Sequence, residues 1–203
     1  MKKTIPLALT ILVSTYISPI LATENNSWYI GGLYTAQDLS GLSPDSHDFN
    51  TAGIIGGYQY NEYISFETRL SKGVSGSEFN FGFRGGELDD STSDIDYQGS
   101  ILIKASYPVT DTFNFYATAG YSKTKIDQKN VIAILDSDFI ALGSNTYNVS
   151  FSENGFTYGL GLNYKVSDKF IIFTDYQILP DWEPSFTHSE NWNNINIGFN
   201  YAF

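Results

Sequence analysis

Two acidic and two basic side chains have the residue types and the spacing to form a charged site inside the protein. Glu67 and Arg69 lie two positions apart in one segment, Lys104 lies in a second and Asp175 in a third. Ionisable groups held away from water can act as a gate or a proton path. They can also pair, which offsets the cost of removing charges from water. We interpret the four as a structural ion network and keep the gate as the alternative.

The segments that carry these charges alternate between polar and apolar residues. A period of two indicates β-strands with one apolar and one polar face, and all four charges fall on polar faces. Counted from the nearest turns, Glu67 and Lys104 lie at similar depth, and Arg69 and Asp175 lie together slightly higher. Eight segments follow the pattern, and they are residues 28–37, 50–60, 62–72, 95–107, 112–123, 155–165, 169–179 and 195–203.

The closing segment shows the alternation most strictly. Its apolar face consists of Ile195, Ile197, Phe199, Tyr201 and Phe203, and its other face carries small and polar residues. A strand with an apolar outer face and a hydrophilic inner face suits a membrane barrel, in which lipid covers only one side. Each of the eight segments is about the 9 to 11 residues that a tilted strand needs to cross a bilayer.

The connections between the segments alternate between short and long. Residues 61–62, 108–111 and 166–168 form short connections, whereas residues 38–49, 73–94, 124–154 and 180–191 form long ones. Outer-membrane barrels have short periplasmic turns and longer outer loops. The sequence therefore predicts an all-β protein, an eight-stranded antiparallel up-and-down transmembrane β-barrel with both termini in the periplasm. Side chains can fill an interior of this size.

The composition limits the domain organisation and the kinds of partner that the chain could have. The chain has 203 residues, no cysteine and a formal net charge of −11. Residues 1–22 resemble a secretory signal peptide, which leaves residues 23–203 as the barrel domain. Removal of Lys2 and Lys3 would leave 9 of the 11 basic residues against 22 acidic ones, a net charge of −13. Such a charge predicts no nucleic-acid partner, because phosphate binding needs a cationic surface.

Four stretches resemble the OmpA-like small outer-membrane β-barrel family of porin-like envelope proteins. They are residues 28–32 (WYIGG), 57–67 (GYQYNEYISFE), 158–168 (YGLGLNYKVSD) and 198–203 (GFNYAF). The resemblance implies an outer-membrane location in Gram-negative bacteria, with lipid and lipopolysaccharide as surroundings. It also implies that Phe199, Tyr201 and Phe203 form the terminal signal read by the outer-membrane assembly machinery.

The residues that could support hydrolysis are poorly placed for it. Outer-membrane lipid A deacylases use a histidine and a serine with one residue between them, whereas His188 and Ser189 are adjacent here. In an extended segment adjacent side chains face opposite ways, so the base would not reach the hydroxyl. The acidic stretches 87–90, 94–96 and 136–138 fit no calcium-binding loop and suit solvated loops. We expect no enzyme, no metal and no cofactor.

The third long connection is unusually apolar for a segment outside the bilayer. Exposed apolar patches often mark a contact surface for another molecule, such as an extracellular or host ligand. Alternatively, the two flanking strands extend above the membrane as a ribbon and pack these residues on themselves. The residues concerned are Val131, Ile132, Ile134, Leu135, Phe139, Ile140 and Leu142.

The sequence thus favours a non-enzymatic outer-membrane protein with acidic surface loops, serving envelope integrity or surface adhesion. A narrow porin-like channel for a small solute is the alternative, and a lipid A-modifying enzyme is less favoured. An ion-filled lumen predicts almost no conductance until Glu67 or Lys104 is altered.

Overall fold

The computed structural model describes residues 27–40, 47–84, 87–135, 141–185 and 188–203, so residues 1–22 lie outside it. The described residues form ten β-strands, and none of them forms a helix long and apolar enough to cross a membrane. The strands are β1 Ser27–Ser40, β2 His47–Gln59, β3 Ile64–Ser75, β4 Ser77–Arg84, β5 Glu87–Pro108, β6 Phe113–Leu135, β7 Ala141–Lys165, β8 Phe170–Ile178, β9 Trp182–Ser185 and β10 His188–Ala202.

Eight of these strands close into a barrel, as the sequence predicts. Neighbours pair antiparallel in the order β1-β2-β3-β5-β6-β7-β8-β10. The ring closes because β10 also pairs with β1, from Tyr29 opposite Ala202 to Ser40 opposite Asn191. Two short strands lie outside the ring, where the sequence reading placed long connections: β4 pairs with β5, and β9 pairs with β10.

Side chains close the three tight turns that join β2 to β3, β5 to β6 and β7 to β8. The Asn61 carboxamide oxygen accepts the backbone N–H groups of Tyr63 and Ile64. The hydroxyl oxygens of Thr110 and Ser167 accept the N–H groups of Phe113 and Phe170, respectively. Asn, Ser and Thr favour turns because their side chains satisfy such donors locally. We call this end of the barrel the turn end.

The outer surface of the barrel is an apolar belt. Ile101, Leu160 and Ile197 are 70%, 70% and 62% exposed, whereas Asn194 and Asn196, on the inner face of β10, are buried. This arrangement reverses the usual distribution of a water-soluble protein and suits a strand whose outer face contacts lipid.

Three strands extend well beyond the membrane-spanning length. β5, β6 and β7 have 22, 23 and 25 residues, against the roughly 9 to 11 that cross a bilayer. β6 and β7 stay paired as far as Leu135 opposite Ala141. We call residues 87–94, 127–135 and 141–150 of these strands the ribbon, and the end of the barrel that bears it the ribbon end. The third long connection is therefore mostly an extended hairpin.

A β-bulge at Asp96 changes which residues of β5 face inward. The pairing with β6 shifts between Ile95, opposite Ile126, and Tyr97, opposite Lys125. Toward the turn end Gln98 is buried, and above the bulge Ile95 is buried, although simple alternation would place only one of them inside. Bulges insert one extra residue and so reset the alternation.

Candidate functional site in the barrel lumen

Arg69 lies at the centre of the charged site. Its Nε donates to Glu67 Oε1 at 2.6 Å, and its Nη2 and Nη1 donate to Asp175 Oδ2 and Oδ1 at 2.8 and 3.3 Å. All three side chains are buried, at 2–3% exposure. The guanidinium fork suits two carboxylates because it presents several N–H donors in one plane.

Neighbouring polar groups complete the hydrogen bonding of both carboxylates. The Tyr29 hydroxyl donates to Glu67 Oε2 at 2.9 Å, and the Tyr116 hydroxyl donates to Asp175 Oδ2 at 2.8 Å. Asn196 Nδ2 donates to Asp175 Oδ1 at 2.6 Å. A buried ion pair is stable only when its remaining hydrogen-bonding capacity is satisfied. We call Glu67, Arg69 and Asp175, together with these three donors, the lumen network.

Lys104 lies beside the lumen network without joining an ion pair. On the β3–β5 ladder it stands opposite Ser65, whereas Glu67 stands opposite Leu102. Its ammonium donates to Asn163 Oδ1 at 3.2 Å and lies 3.8 Å from the centre of the Tyr116 ring. Among the described residues no carboxylate oxygen lies within 4.0 Å of it. Arg69 therefore binds both acids, and Lys104 is held by an amide and an aromatic face.

A neutral polar layer continues the filling toward the ribbon end. Gln98 Nε2 donates to Thr124 Oγ1 at 2.9 Å, Gln37 Nε2 donates to Gln98 Oε1 at 3.1 Å, and Trp192 Nε1 donates to Gln37 Oε1 at 3.0 Å. A cavity of about 10 Å³ remains between Arg69 and this layer. That volume is at the lower limit for one water molecule, roughly 10–15 Å³.

An apolar cluster closes the lumen at the ribbon end. This cluster was not predicted from the sequence. Its members come from six strands or their ends, and each is only 1–4% exposed; they are Leu39, Phe49, Ile95, Ile126, Leu179 and Trp192. Phe151, at the base of the ribbon, packs against them. We call these six residues the apolar plug.

The signal for the plug was present at the ends of the predicted segments. Leu39 and Trp192 lie two residues from Gln37 and Asn194 and therefore on the same inward face. They are not included in the predicted segments because β1 and β10 run past the predicted limits. The interior thus changes from polar to apolar where the strands leave the membrane.

The lumen is open at the turn end. A vestibule of about 740 Å³ is lined by Lys104, Asn163, Lys165 and Asp168, among others. Lys104 lies at its inner limit, so the lumen consists of an open vestibule, the lumen network and the apolar plug in series.

The ribbon carries the residues that the sequence singled out for surface contact. Val131 and Ile132 are half-buried in β6, and Leu142 is 69% exposed in β7. Ile134 and Leu135 also lie in β6 and pair with Gly143 and Ala141. Phe139 and Ile140 lie outside the described residues.

A second, smaller group of charges lies on the outer face at the base of the ribbon. Lys125 Nζ lies 2.8 Å from Asp96 Oδ2 and 3.1 Å from Asp127 Oδ1. These carboxylates raise the pKa of Lys125, with hydrogen bonding to Asp96 as the larger cause. The Ser150 hydroxyl and then Lys125 hold the pKa of Asp127 below its usual range by hydrogen bonding. The bulge thus puts Asp96 beside Lys125, although simple alternation would place its side chain in the lumen.

The catalytic, metal-binding and terminal aromatic residues considered from the sequence contribute little to a site. His188 and Ser189 lie in β10, where His188 pairs with Ser185 of β9. Within the described ranges no group of three His, Asp or Glu residues could hold a metal ion. Phe199, Tyr201 and Phe203 are exposed on the outer face, and the ring of Phe199 stacks on Phe170 with centroids 5.7 Å apart.

Comparison with known proteins identifies a family model and a curated relative that the chain matches. Residues 5–203 match the family model of the outer membrane protein beta-barrel domain. The chain is 28% identical over 186 residues to Outer membrane protein A of Buchnera aphidicola, and this match covers 83% of the chain and 49% of that protein. The chain therefore spans about half the length of that curated relative.

Solved structures share the fold. Neisserial surface protein A has a TM-score of 0.54 at 13% identity, covering 87% of this chain and 97% of that one. Ail, the attachment invasion locus protein of Yersinia pestis, has a TM-score of 0.52 at 13% identity, covering 88% and 99%. With the closed eight-stranded ring and the apolar belt, the family match shows that the chain belongs to the outer membrane protein β-barrel domain family.

Proposed function

We propose that this protein is a non-enzymatic, non-conducting barrel that displays its ribbon at the cell surface and serves adhesion or envelope integrity. The observation that carries the proposal is the combination of a filled lumen with three strands that extend far beyond the bilayer. A lumen closed by the lumen network and the apolar plug leaves no route for a solute. The ribbon is then the largest feature that could meet another molecule.

The proposal places the ribbon end outside and both termini in the periplasm. The support is the contrast between three side-chain-capped turns at one end and the ribbon at the other. Outer-membrane barrels put short turns in the periplasm and long connections outside.

The β7 strand of the ribbon offers apolar and uncharged surface to a partner. Leu142 and Tyr147 are both exposed, and residues 141–152 of β7 carry no charge in a chain of net charge −11. Ail has been solved with the heparin analogue sucrose octasulfate. For the present chain the acidic balance disfavours a sulfated ligand, because like charges repel. We therefore expect a protein surface as the adhesion partner.

Shortening the ribbon should abolish surface binding while leaving the barrel intact. Replacing residues 131–146 by Asn-Gly would join Asn130 to Tyr147, which pair in the hairpin, through a turn that suits two-residue connections. Binding of purified protein to whole cells and to immobilised extracellular matrix proteins would be compared for the full-length and shortened chains. We expect at least a tenfold loss if the ribbon supplies the contact.

The matched control keeps the ribbon and changes only its apolar residues. The Val131→Asn/Leu142→Asn variant should lose part of the binding, and gel migration before and after boiling should confirm that both variants fold. Equal binding by the full-length and shortened chains would refute adhesion through the ribbon.

We also propose that Phe199, Tyr201 and Phe203 are read by the outer-membrane assembly machinery. Replacing Phe203 by serine should lower the yield of assembled barrel several-fold, because an exposed terminal aromatic would no longer be available for recognition. Tyr97→Ser is the matched control, since Tyr97 is also an exposed aromatic of the outer face. The measurement is the amount of heat-modifiable protein in outer-membrane fractions. Equal yields of the two variants would argue against a terminal signal.

A gated narrow channel is the second candidate. The observation in its favour is that the charged lumen network borders an open vestibule of about 740 Å³. Conductance measurements in planar bilayers separate the two candidates.

A further inference from the structure

Two lysines lie near each other on the outer face of the barrel, toward the ribbon end of the apolar belt. Leu70 of β3 pairs with Gly99 of β5, and Gly99 pairs with Lys123 of β6. Lys72 lies two residues beyond Leu70, on the same outer face of β3. Lys72 and Lys123 are both exposed, and two strands of spacing separate β3 from β6. Together with the two-residue offset of Lys72 along β3, that spacing corresponds to roughly 12 Å.

Within the described ranges, neither lysine has an acidic ion-pair partner. In the part of the chain that the structure describes, no carboxylate lies within 4.0 Å of Lys72 or Lys123. Asp96 and Asp127 already bind Lys125, and Asp94, which pairs with Asp127 on the ribbon side, lies more than 4.0 Å from either lysine. The two ammonium groups therefore remain available to an external anion.

A shallow apolar trough lies between the two lysines. Gly99 faces outward without a side chain, among the exposed residues Leu70, Tyr97 and Ile101. A Cβ atom at Gly99 would meet only the Leu70 Cδ2 atom, at 3.4 Å, and the Arg69 carbonyl oxygen, at 4.0 Å. The missing side chain thus leaves room for a hydrocarbon chain against the belt.

The position of the lysines relative to the belt identifies the surroundings. Ile101 and Tyr121, on the turn-end side of this level, are exposed on the outer face and suit the hydrocarbon core. Lysine side chains at the edge of such a belt reach the headgroup layer. A ligand that contacts both features needs an acyl chain and two negative groups roughly 12 Å apart.

We propose that this surface binds a bisphosphorylated lipid A, the membrane anchor of lipopolysaccharide. Lys72 and Lys123 each bind one of the two phosphates at opposite ends of its disaccharide, and one acyl chain lies in the trough over Gly99. Lys125, fixed by its two carboxylates, lies two residues beyond Lys123 on β6 and adds positive charge beside it. The proposal rests on the proposed orientation of the barrel, because lipopolysaccharide occupies the outer leaflet.

The test measures lipid binding to the folded, full-length barrel in detergent by native mass spectrometry. The probes are bisphosphorylated lipid A, monophosphorylated lipid A and phosphatidylglycerol. We expect bisphosphorylated lipid A to bind most tightly, and the Lys72→Gln/Lys123→Gln variant to bind it roughly tenfold or more weakly. Gly99→Leu, which fills the trough, should also weaken binding.

The matched control is Lys165→Gln/Lys169→Gln, which removes the same charge at the turn end and should leave binding unchanged. Equal binding by the Lys72→Gln/Lys123→Gln variant would overturn the proposal. So would binding of monophosphorylated lipid A or phosphatidylglycerol as tight as that of the bisphosphorylated form. Gel migration before and after boiling would establish that each variant is folded.

The experiment also separates this proposal from the proposed function. Binding in detergent requires neither the ribbon nor a particular orientation in the cell. If the shortened ribbon leaves adhesion unchanged while the lysine variant loses lipid A, only the adhesion proposal fails. If adhesion depends on the ribbon but the lysine variant binds lipid A normally, only the lipid site fails.

Discussion

Replacing Arg69 by methionine should lower the free energy of unfolding by about 3–5 kcal/mol, the usual cost of removing one partner from a buried ion pair. Arg69 contacts Glu67 at 2.6 Å and Asp175 at 2.8 Å, and all three side chains are nearly inaccessible to solvent. Methionine fills a similar volume but donates no hydrogen bond. Two buried carboxylates would then lose their shared cation, with Lys104 as the nearest remaining positive charge.

Urea-induced unfolding in lipid vesicles, followed by the gel shift between folded and unfolded barrel, measures this loss. Lys165→Met is the matched control, because Lys165 and Asp168 form an ion pair in which both partners are substantially exposed. Exposed pairs contribute about 0–1 kcal/mol. A loss below about 1.5 kcal/mol for Arg69→Met would contradict a structural role for the lumen network, since it would fall under the range for an uncompensated buried charge.

A combined variant distinguishes the cost of leaving a buried charge unpaired from the loss of the attraction within the ion pair. Glu67→Gln/Arg69→Met/Asp175→Asn removes the charges of all three residues while keeping their approximate volumes. Replacing a whole buried ion network can be nearly neutral. We therefore expect the combined variant to be more stable than Arg69→Met alone, because it buries no unpaired carboxylate.

The sequence could predict the ring and the four charged residues of the lumen for one physical reason. Lipid outside the barrel requires apolar residues at every second position. The inward residues of a strand are therefore the alternate positions, either all odd-numbered or all even-numbered. Glu67, Arg69, Lys104 and Asp175 all have inward parity, and all four are buried. Parity does not determine contacts, however, and Arg69 binds both acids while Lys104 contacts Asn163.

The features that parity could not predict lie beyond the bilayer. Once strands leave the lipid, the outer face can be polar and the inner face apolar, so the pattern of the belt no longer applies. The bulge at Asp96 also resets the alternation in β5, which brings Ile95 inside. The apolar plug arises in this region, as do the short strands β4 and β9, whereas the ribbon is an alternative that the sequence offers for the third long connection. Extending each predicted strand by its own parity would have recovered Leu39 and Trp192.

Because the apolar plug also closes the lumen, we do not expect opening of the lumen network alone to allow transport. The two barriers lie in series along one lumen, so the ion flux is limited by whichever barrier remains closed. The lumen network is charged and hydrogen-bonded, and it could rearrange while staying solvated from the vestibule. The plug offers no polar path, because Leu39, Phe49 and Ile95 are packed with three more apolar side chains. Apolar constrictions exclude ions by excluding water.

Conductance in planar bilayers should therefore appear only when both barriers are altered. Glu67→Ser/Arg69→Ser should remain closed, as should Phe49→Ser/Trp192→Ser, whereas the variant with all four changes should conduct. The expectation from sequence, that altering Glu67 or Lys104 opens the lumen, is replaced by this one because six plug residues lie beyond the network. Channel recordings on protein that is folded by gel migration supply the measurement. Conductance of Glu67→Ser/Arg69→Ser equal to that of the combined variant would show that the plug does not seal the lumen. It would favour the gated channel over the non-conducting barrel, because the charged layer would then be the barrier that controls the flux.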